Sequence, residues 1–449
     1  MTTHVLIISH DVVGARMSGP GIRYYHLARV LAREFDVVLA APGAHSPGAF
    51  DGFSVLGYRH PQDSALEQAV RQAQVVLVPA VELANVPALL DSGAALVLDG
   101  YDPFLAETLF LDPLRVGHLQ RVLAQAYLVG DFVICASERQ RDWWLGLLEA
   151  HGRINRYNFA QDPSFRQLVD VVPFGMPTER PAARSPVFRE TWPGIGAQDK
   201  IILWGGGLWV WLDPLTAIRA VAQIWRERQD VRLVFPGTRH PNPGVAQIPT
   251  LVGAAQELAV ELGLWNKAVF FGDWVPYADW PGVLLESDLA LSLHHDTLET
   301  RLAFRTRILD YIWSGLPMVV TRGDEMSDLV ERHQLGSVVG YGDVQRTAAA
   351  ISRWLDVPKE TLAERFERVR QALTWEKAVE PLRAFCRQPH RAPDKVALGV
   401  QDQSPFSLAE IERLKGLVSG YERGRFMRFS KWLYQAKQKL LCRLKGGNQ

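Results

Sequence analysis

The chain has 449 residues, of which 47% are hydrophobic and 22% charged, and its Lys+Arg and Asp+Glu totals are equal at 49 each. That length supplies more than one domain with sizeable cores, and the balanced charge argues against a general nucleic-acid binder. The cysteines, Cys135, Cys386 and Cys442, share no close spacing, so neither a disulfide framework nor a paired-cysteine zinc site is supported.

The chain opens directly into a β run, with no basic segment leading an apolar one. No stretch of about 18 apolar residues follows anywhere. Neither a secretory leader nor a membrane-spanning helix is expected, and a cytoplasmic, reducing location is the expectation. Strands are predicted at residues 5–9, 37–40, 75–79, 95–99, 132–136 and 168–172, with helices such as 22–34 and 138–149 between them. Residues 177–200 hold Pro177, Pro181, Pro186, Pro193, Gly194 and Gly196 and read as a linker. The alternation then restarts with strands at 201–204, 231–235, 268–271, 289–293 and 318–321, and helices at 214–227, 250–263 and 279–286. Such alternation predicts parallel sheets covered by helices on both faces. The resulting α/β plan is a first domain at 1–176, the linker at 177–200, a second domain at 201–388 and a helical tail at 389–449. By itself this plan also fits a two-domain binding protein or an epimerase.

Two glycine loops follow first strands. One is Gly14-Ala-Arg-Met-Ser-Gly19-Pro-Gly21, ahead of a helix starting near Ile22. The other is Gly205-Gly206-Gly207, ahead of Asp213-Pro214, which reads as a helix cap and first residue. Glycines let backbone N–H groups approach a phosphate, and a helix N-terminus adds partial positive charge. For the first loop, a plain strand-to-helix turn is an equal reading. Asp99 and Asp102 follow a strand, where carboxylates reach the edge of an open sheet. A cap role ahead of Pro103 competes for Asp102. Ser137 reads more readily as a helix cap than as a cleft residue. His294-His295-Asp296 does not read as a metal site, because adjacent histidines point in different directions. His10-Asp11 reads as a strand-end pair.

The segment 299–323 is the densest in chemistry. Ile308, Leu309, Tyr311, Ile312 and Trp313 give a helix its apolar face, Ser314-Gly315-Leu316-Pro317 stops it, and residues 318–321 form a buried strand. Glu299 and Asp310 offer carboxylates for sugar and ribose hydroxyls. Arg305 and Arg307 offer guanidinium groups for phosphates, unless both lie on a solvated helix face.

Through Ile308-Leu-Asp310-Tyr-Ile-Trp-Ser-Gly-Leu-Pro317-Met-Val-Val-Thr321, this segment resembles the donor-binding element of retaining GT-B glycosyltransferases of the family-four type. The first glycine loop, the Phe235-Pro-Gly237 step and Phe271-Gly-Asp-Trp-Val275-Pro276 add to the resemblance, which covers roughly residues 1–385. It implies the GT-B fold, two doubly wound Rossmann-like domains facing a cleft, and a hexosyltransferase-like activity that retains anomeric configuration. A nucleotide-sugar would serve as co-substrate, with no cofactor and no metal. It places Asp310 at the ribose and the diphosphate against Gly205, Gly206 and Gly207, with Gly237 and Val275 near the base. The motif's first acid belongs eight residues before Asp310, where Leu302 stands. Glu299 is the nearest acid ahead and is assigned the transferred sugar. The family's usual Arg and Lys are absent between Trp204 and Thr216. Arg305 and Arg307 are inferred to replace them, forming the catalytic set with Glu299 and Asp102. Gly19, Gly21 and Asp99 form the diphosphate and acceptor loop. A non-catalytic nucleotide or partner binder, a phosphorylase and a sugar-nucleotide epimerase stay open as rivals.

The tail departs from the two-domain plan. Residues 421–449 hold eight basic groups against one acid, Glu422, interleaved with Phe426, Phe429, Trp432 and Tyr434. Two readings stand equal: a helix on an anionic membrane surface at the inner face, which suits a lipid-linked rather than a free saccharide acceptor, or a helix packed back on the enzyme. Surface polysaccharide or glycolipid assembly is the pathway expected from the first.

Overall fold

The computed structural model describes residues 2–43, 52–189, 191–242, 245 and 249–398. Residues 1–394 cluster into one unit that holds two parallel sheets. A second unit begins at Lys395, and only its first four residues, closing helix Pro393–Leu398, are described. The basic tail at 421–449 therefore lies outside the described residues.

The first sheet contains β1 (His4–Ile8), β2 (Asp36–Pro42), β3 (Ser54–Tyr58), β4 (Val75–Pro79), β5 (Ala95–Asp99), β6 (Phe132–Cys135) and β7 (Val169–Val171), in the order β3-β2-β1-β4-β5-β6-β7. The second contains β8 (Lys200–Trp204), β9 (Val231–Phe235), β10 (Val269–Phe271), β11 (Leu289–Ser292), β12 (Met318–Thr321) and β13 (Gly336–Val339), in the order β10-β9-β8-β11-β12-β13. Both are doubly wound, with the first strand near the middle and a switch in winding direction beside it. In β1, Val5 and Ile7 join one hydrophobic cluster and Leu6 and Ile8 the other, so the strand is covered on both faces. This is the architecture expected from the alternation.

Two strands escape the sequence pattern, and both lie at sheet edges. β3 is Ser-Val-Leu-Gly-Tyr, whose glycine and half-buried positions dilute the apolar run. β13 begins at Gly336, where an added Cβ would sit 1.8 Å from the Met318 carbonyl oxygen. Only glycine lets that strand pair with β12.

The helix expected across residues 299–313 is broken. Helix Leu298–Leu302 ends before Ala303, and helix Thr306–Trp313 begins after Arg305. The break turns Thr306 and Arg307 into a fresh helix start. The chain also returns to the first sheet earlier than residue 388. Helices Trp375–Ala378 and Glu380–Arg387 carry Trp375 to within 4.8 Å of His26, ring on ring, and Phe385 to 4.9 Å of Phe132. Gly175 makes room for this return, since a Cβ there would lie 2.4 Å from the Trp375 nitrogen. Buried Arg153 then grips Asp394 at 2.6 Å.

Candidate active site

The strand ends of both sheets open on a shared cleft of about 420 Å³. The second sheet contributes Gly205, Gly206, Gly207, Gly237, Val275, Arg307 and Asp310, and the first contributes Gly19 and Asp102. The walls are tied together. The Tyr277 nitrogen donates to the Ala15 carbonyl at 2.8 Å, and its hydroxyl meets His26 Nε2 at 2.7 Å. Asn242 Nδ2 donates to Asp11 Oδ1 at 2.8 Å.

The turn after β8 is fixed by its glycines. Gly205 N–H donates to the Tyr311 hydroxyl at 2.9 Å, which in turn donates to the Leu291 carbonyl at 3.0 Å. Gly206 has φ +86°, a left-handed conformation that other residues adopt only with strain. Downstream, Asp213 caps helix Pro214–Ile224 through Thr216 N–H, as its sequence suggests.

Arg307 overhangs this turn. Its guanidinium lies 5.5 Å from the Trp204 ring centroid, and Nη2 stands 3.5 Å from the Gly207 carbonyl, at the outer limit of a hydrogen bond. Nη1 is buried without a hydrogen-bond partner, and among the described residues no carboxylate lies within ion-pair distance of the group. Burial pulls its pKa down to about 10, so the charge survives at neutral pH.

Arg305 does not share this position. Its Nη1 and Nη2 donate to the two carboxylate oxygens of Glu299 at 2.8 and 2.7 Å, and Nε lies 3.6 Å from Asp324. Glu299 is 1% exposed and Arg305 7%, and neither lines the cleft. Burial opposes the Arg305 charge, but Glu299 and Asp324 outweigh it and raise the pKa. The expectation that Arg305 meets the diphosphate and Glu299 the sugar is therefore corrected in position: each is consumed by the other. His294 belongs to the same network, with Nε2 2.9 Å from Asp324, and among the described residues no cluster has the makings of a metal site.

Asp310 lies on the cleft wall and accepts from Trp280 Nε1 at 2.9 Å. Burial lifts its pKa to about 7. Asp102 also faces the cleft rather than capping, since Phe104–Leu111 takes Pro103 at its N-cap without a side-chain bond. Burial is again the main cause that raises Asp102 to about 7, and Asp99 adds to it. Glu107, a turn further on, is pushed well up by burial and by Asp102.

Asp99 and Gly21 are corrected as well. Asp99 is fully buried, binds Arg23 through both oxygens at 2.7 and 3.0 Å, and does not line the cleft. Gly21 lies inside helix Gly19–Leu31, where a Cβ would sit 2.3 Å from the Val12 carbonyl oxygen, so its glycine serves packing. Gly19 does line the cleft, and a Cβ there would meet nothing within 4 Å.

The sequence reading passed over several cleft groups. His10 and Asp11 both line the cleft: His10 Nδ1 is unpartnered, and the buried Asp11 also accepts from Ser18 Oγ. Trp209, Trp211, His240 and Trp274 form an aromatic wall. Trp209 and Trp211 stack at 5.7 Å, and His240 lies 5.1 Å from Trp274. The signal for this wall was present in the run Trp204–Trp211 of three tryptophans around glycines.

Comparisons with known proteins bear on the fold and on the second domain. The family model described as glycosyl transferases group 1 matches residues 199–356, the span of the second sheet. No curated protein matches the chain. Among solved structures, sucrose-phosphate synthase from Thermosynechococcus elongatus is similar at 15% identity and a TM-score of 0.63, over 86% of this chain and 98% of that one. HepE of Anabaena, solved with UDP and glucose, is similar at 17% identity and a TM-score of 0.63, over 86% and 100%. WaaG, a glycosyltransferase involved in lipopolysaccharide biosynthesis, is similar at 16% identity and a TM-score of 0.56, over 85% and 98%. The chain thus has the GT-B fold across its two sheets and carries on the second a match to glycosyl transferases group 1, which together support a glycosyltransferase.

Proposed function

We propose that this enzyme transfers a sugar from a nucleoside-diphosphate donor to an acceptor hydroxyl with retention of configuration. The observation that carries the reading is the uncompensated Arg307 guanidinium above the Gly205–Gly207 turn. A partly buried cation without a counter-ion is costly, and an anionic ligand removes the cost. The diphosphate would lie against the glycine turn, with Arg307 taking up the charge that develops as the glycosidic bond breaks. The start of helix Thr306–Trp313 adds partial positive charge on the same side. Asp310 would accept from the ribose hydroxyls once deprotonated, and the aromatic wall of Trp209, His240 and Trp274 would flank the base.

The acceptor would enter from the first sheet, past Asp102. In this chemistry the leaving phosphate takes the acceptor proton, and Asp102 and Glu107 would orient the hydroxyl and steady positive charge on the ring. HepE and its UDP ligand make uridine donors the first to test. The enzyme, incubated with UDP-, GDP-, ADP- and dTDP-sugars, should release nucleoside diphosphate from one class, with the new linkage keeping the donor's anomeric configuration by NMR. Inverted product would remove the retaining mechanism.

The tail and its membrane role belong to this proposal too, since residues 421–449 lie outside the described residues. Among the described residues, no helix is long and apolar enough to cross a membrane. Anionic liposomes should sediment the full chain at low salt but not a version ending near residue 419. Equal recovery of both in the supernatant would remove the tail as an anchor.

A further inference from the structure

A second cavity, of about 500 Å³, lies in the first sheet's half of the unit and shares Asp102 and Phe104 with the cleft. Its character differs from the cleft's. Leu123, Trp143, Trp144 and Leu147 supply apolar wall, and among the described residues no lysine or arginine lines it and Asp102 is its only carboxylate. It has no cation with which to recognise a phosphate, and its polar side chains are a minority: Gln140 and Trp144 are bound to backbone carbonyls, which leaves Gln120, Tyr127 and His151 beside Asp102. It suits a group whose burial is driven mainly by apolar area.

The surface beside it is equally unusual. Helix Phe104–Leu111 lends Phe104, Leu105 and Ala106 to the cavity wall and turns Leu109 and Phe110 outward, at 48% and 42% exposure. The next turn, Pro113–Arg115, presents Leu114 at 95% exposure. Exposed Arg115 and Arg121 flank these apolar side chains. Asp112, which accepts from the Leu114 nitrogen, is the acid among them, so two arginines stand against one carboxylate beside the apolar groups, a balance that fits the boundary of an anionic lipid layer.

We propose that this cavity is an acceptor subsite that takes an alkyl or isoprenoid chain, so that the acceptor is a lipid whose hydroxyl head reaches the cleft past Asp102. The inference rests on the transferase reading and names its acceptor class. The Leu109, Phe110 and Leu114 surface would sit at the lipid layer from which that acceptor is drawn.

The test is calorimetric titration of the full chain with octyl β-glucoside below its micelle concentration, with methyl β-glucoside as control. Burial of the alkyl chain should make the octyl compound bind at least about tenfold tighter, given the favourable free energy of each buried methylene. Ala124 lines the cavity from helix Val116–Val129, and Ala124→Phe should fill it. That variant should lose the octyl preference at least tenfold while keeping the parent's urea unfolding midpoint, which shows that it folds. Equal binding of the two glucosides by the parent, or an undiminished octyl preference in Ala124→Phe, would overturn the proposal. The outcome is separable from the transferase reading, because octyl binding is measured without a donor. Turnover on polar acceptors with no octyl preference would sink the subsite alone.

Discussion

Arg305 and Arg307 are two residues apart and chemically identical, yet the structure predicts opposite consequences for removing them. Arg307 has no carboxylate partner among the described residues, and Arg305 cannot stand in, because Glu299 holds it at 2.7 and 2.8 Å. Arg307→Ala should therefore cost nucleoside-diphosphate binding about 1.5–3 kcal/mol, the scale of a hydrogen bond to a charged group. That converts to a roughly 10- to 150-fold rise in Kd. It should leave folding stability unchanged or slightly improved, since it deletes an uncompensated, partly buried charge. Arg305→Ala should do the reverse. It strands Glu299, which is 1% exposed, and breaking one side of a buried pair costs about 3–5 kcal/mol of stability. Paired calorimetry and urea unfolding on both variants measure this split. Equal loss of affinity in the two, or a destabilised Arg307→Ala with parental affinity, would refute the assignment of the free cation.

Glu299→Gln should lower the urea midpoint as Arg305→Ala does. A turnover loss at parental stability would instead restore Glu299 as a sugar ligand. Asp310→Asn should raise the donor KM, and parental kinetics would remove Asp310 from the ribose. The same variant tests a pH effect. With its pKa raised to about 7, native Asp310 keeps its proton where the unfolded chain releases it. Its contribution to stability is complete below about pH 4 and is lost as pH rises to about 7. Asp310→Asn should therefore flatten part of the fall in melting temperature across that window, and an unchanged slope would contradict the burial argument. Gly175→Ala should destabilise by roughly 1–3 kcal/mol, the scale of overpacking. The returning chain at Trp375 cannot yield freely, and a neutral result by urea unfolding would mean that it can.

The fold was legible because buried parallel strands advertise themselves. Four strands, β4, β5, β9 and β12, fall on the residues that their apolar runs mark. The edge strands β3 and β13 were not legible, because half-exposed positions and glycines erase that run. That the glycine turn, Asp310 and Asp102 lie at the cleft was readable from motif and strand-end position. The division of labour between Arg305 and Arg307 was not. It depends on the helix break at Ala303–Arg305, which swings one guanidinium onto Glu299 and the other over Gly207. Spacing along one expected helix carries no trace of that break. Asp99 misled for a related reason. A carboxylate at a strand end serves the cleft only if no partner reaches it first, and Arg23 comes from a helix many residues earlier.

The central claim is that Arg307 and the Gly205–Gly207 turn seat the diphosphate of a sugar donor for transfer. Its most direct measurement is nucleoside-diphosphate release by the parent enzyme and by Arg307→Ala, across the four donor classes and followed by chromatography. The account predicts release from one donor class, with kcat/KM reduced at least about tenfold in the variant. Release at the parental rate by Arg307→Ala, or no release and no binding with any donor, would contradict it.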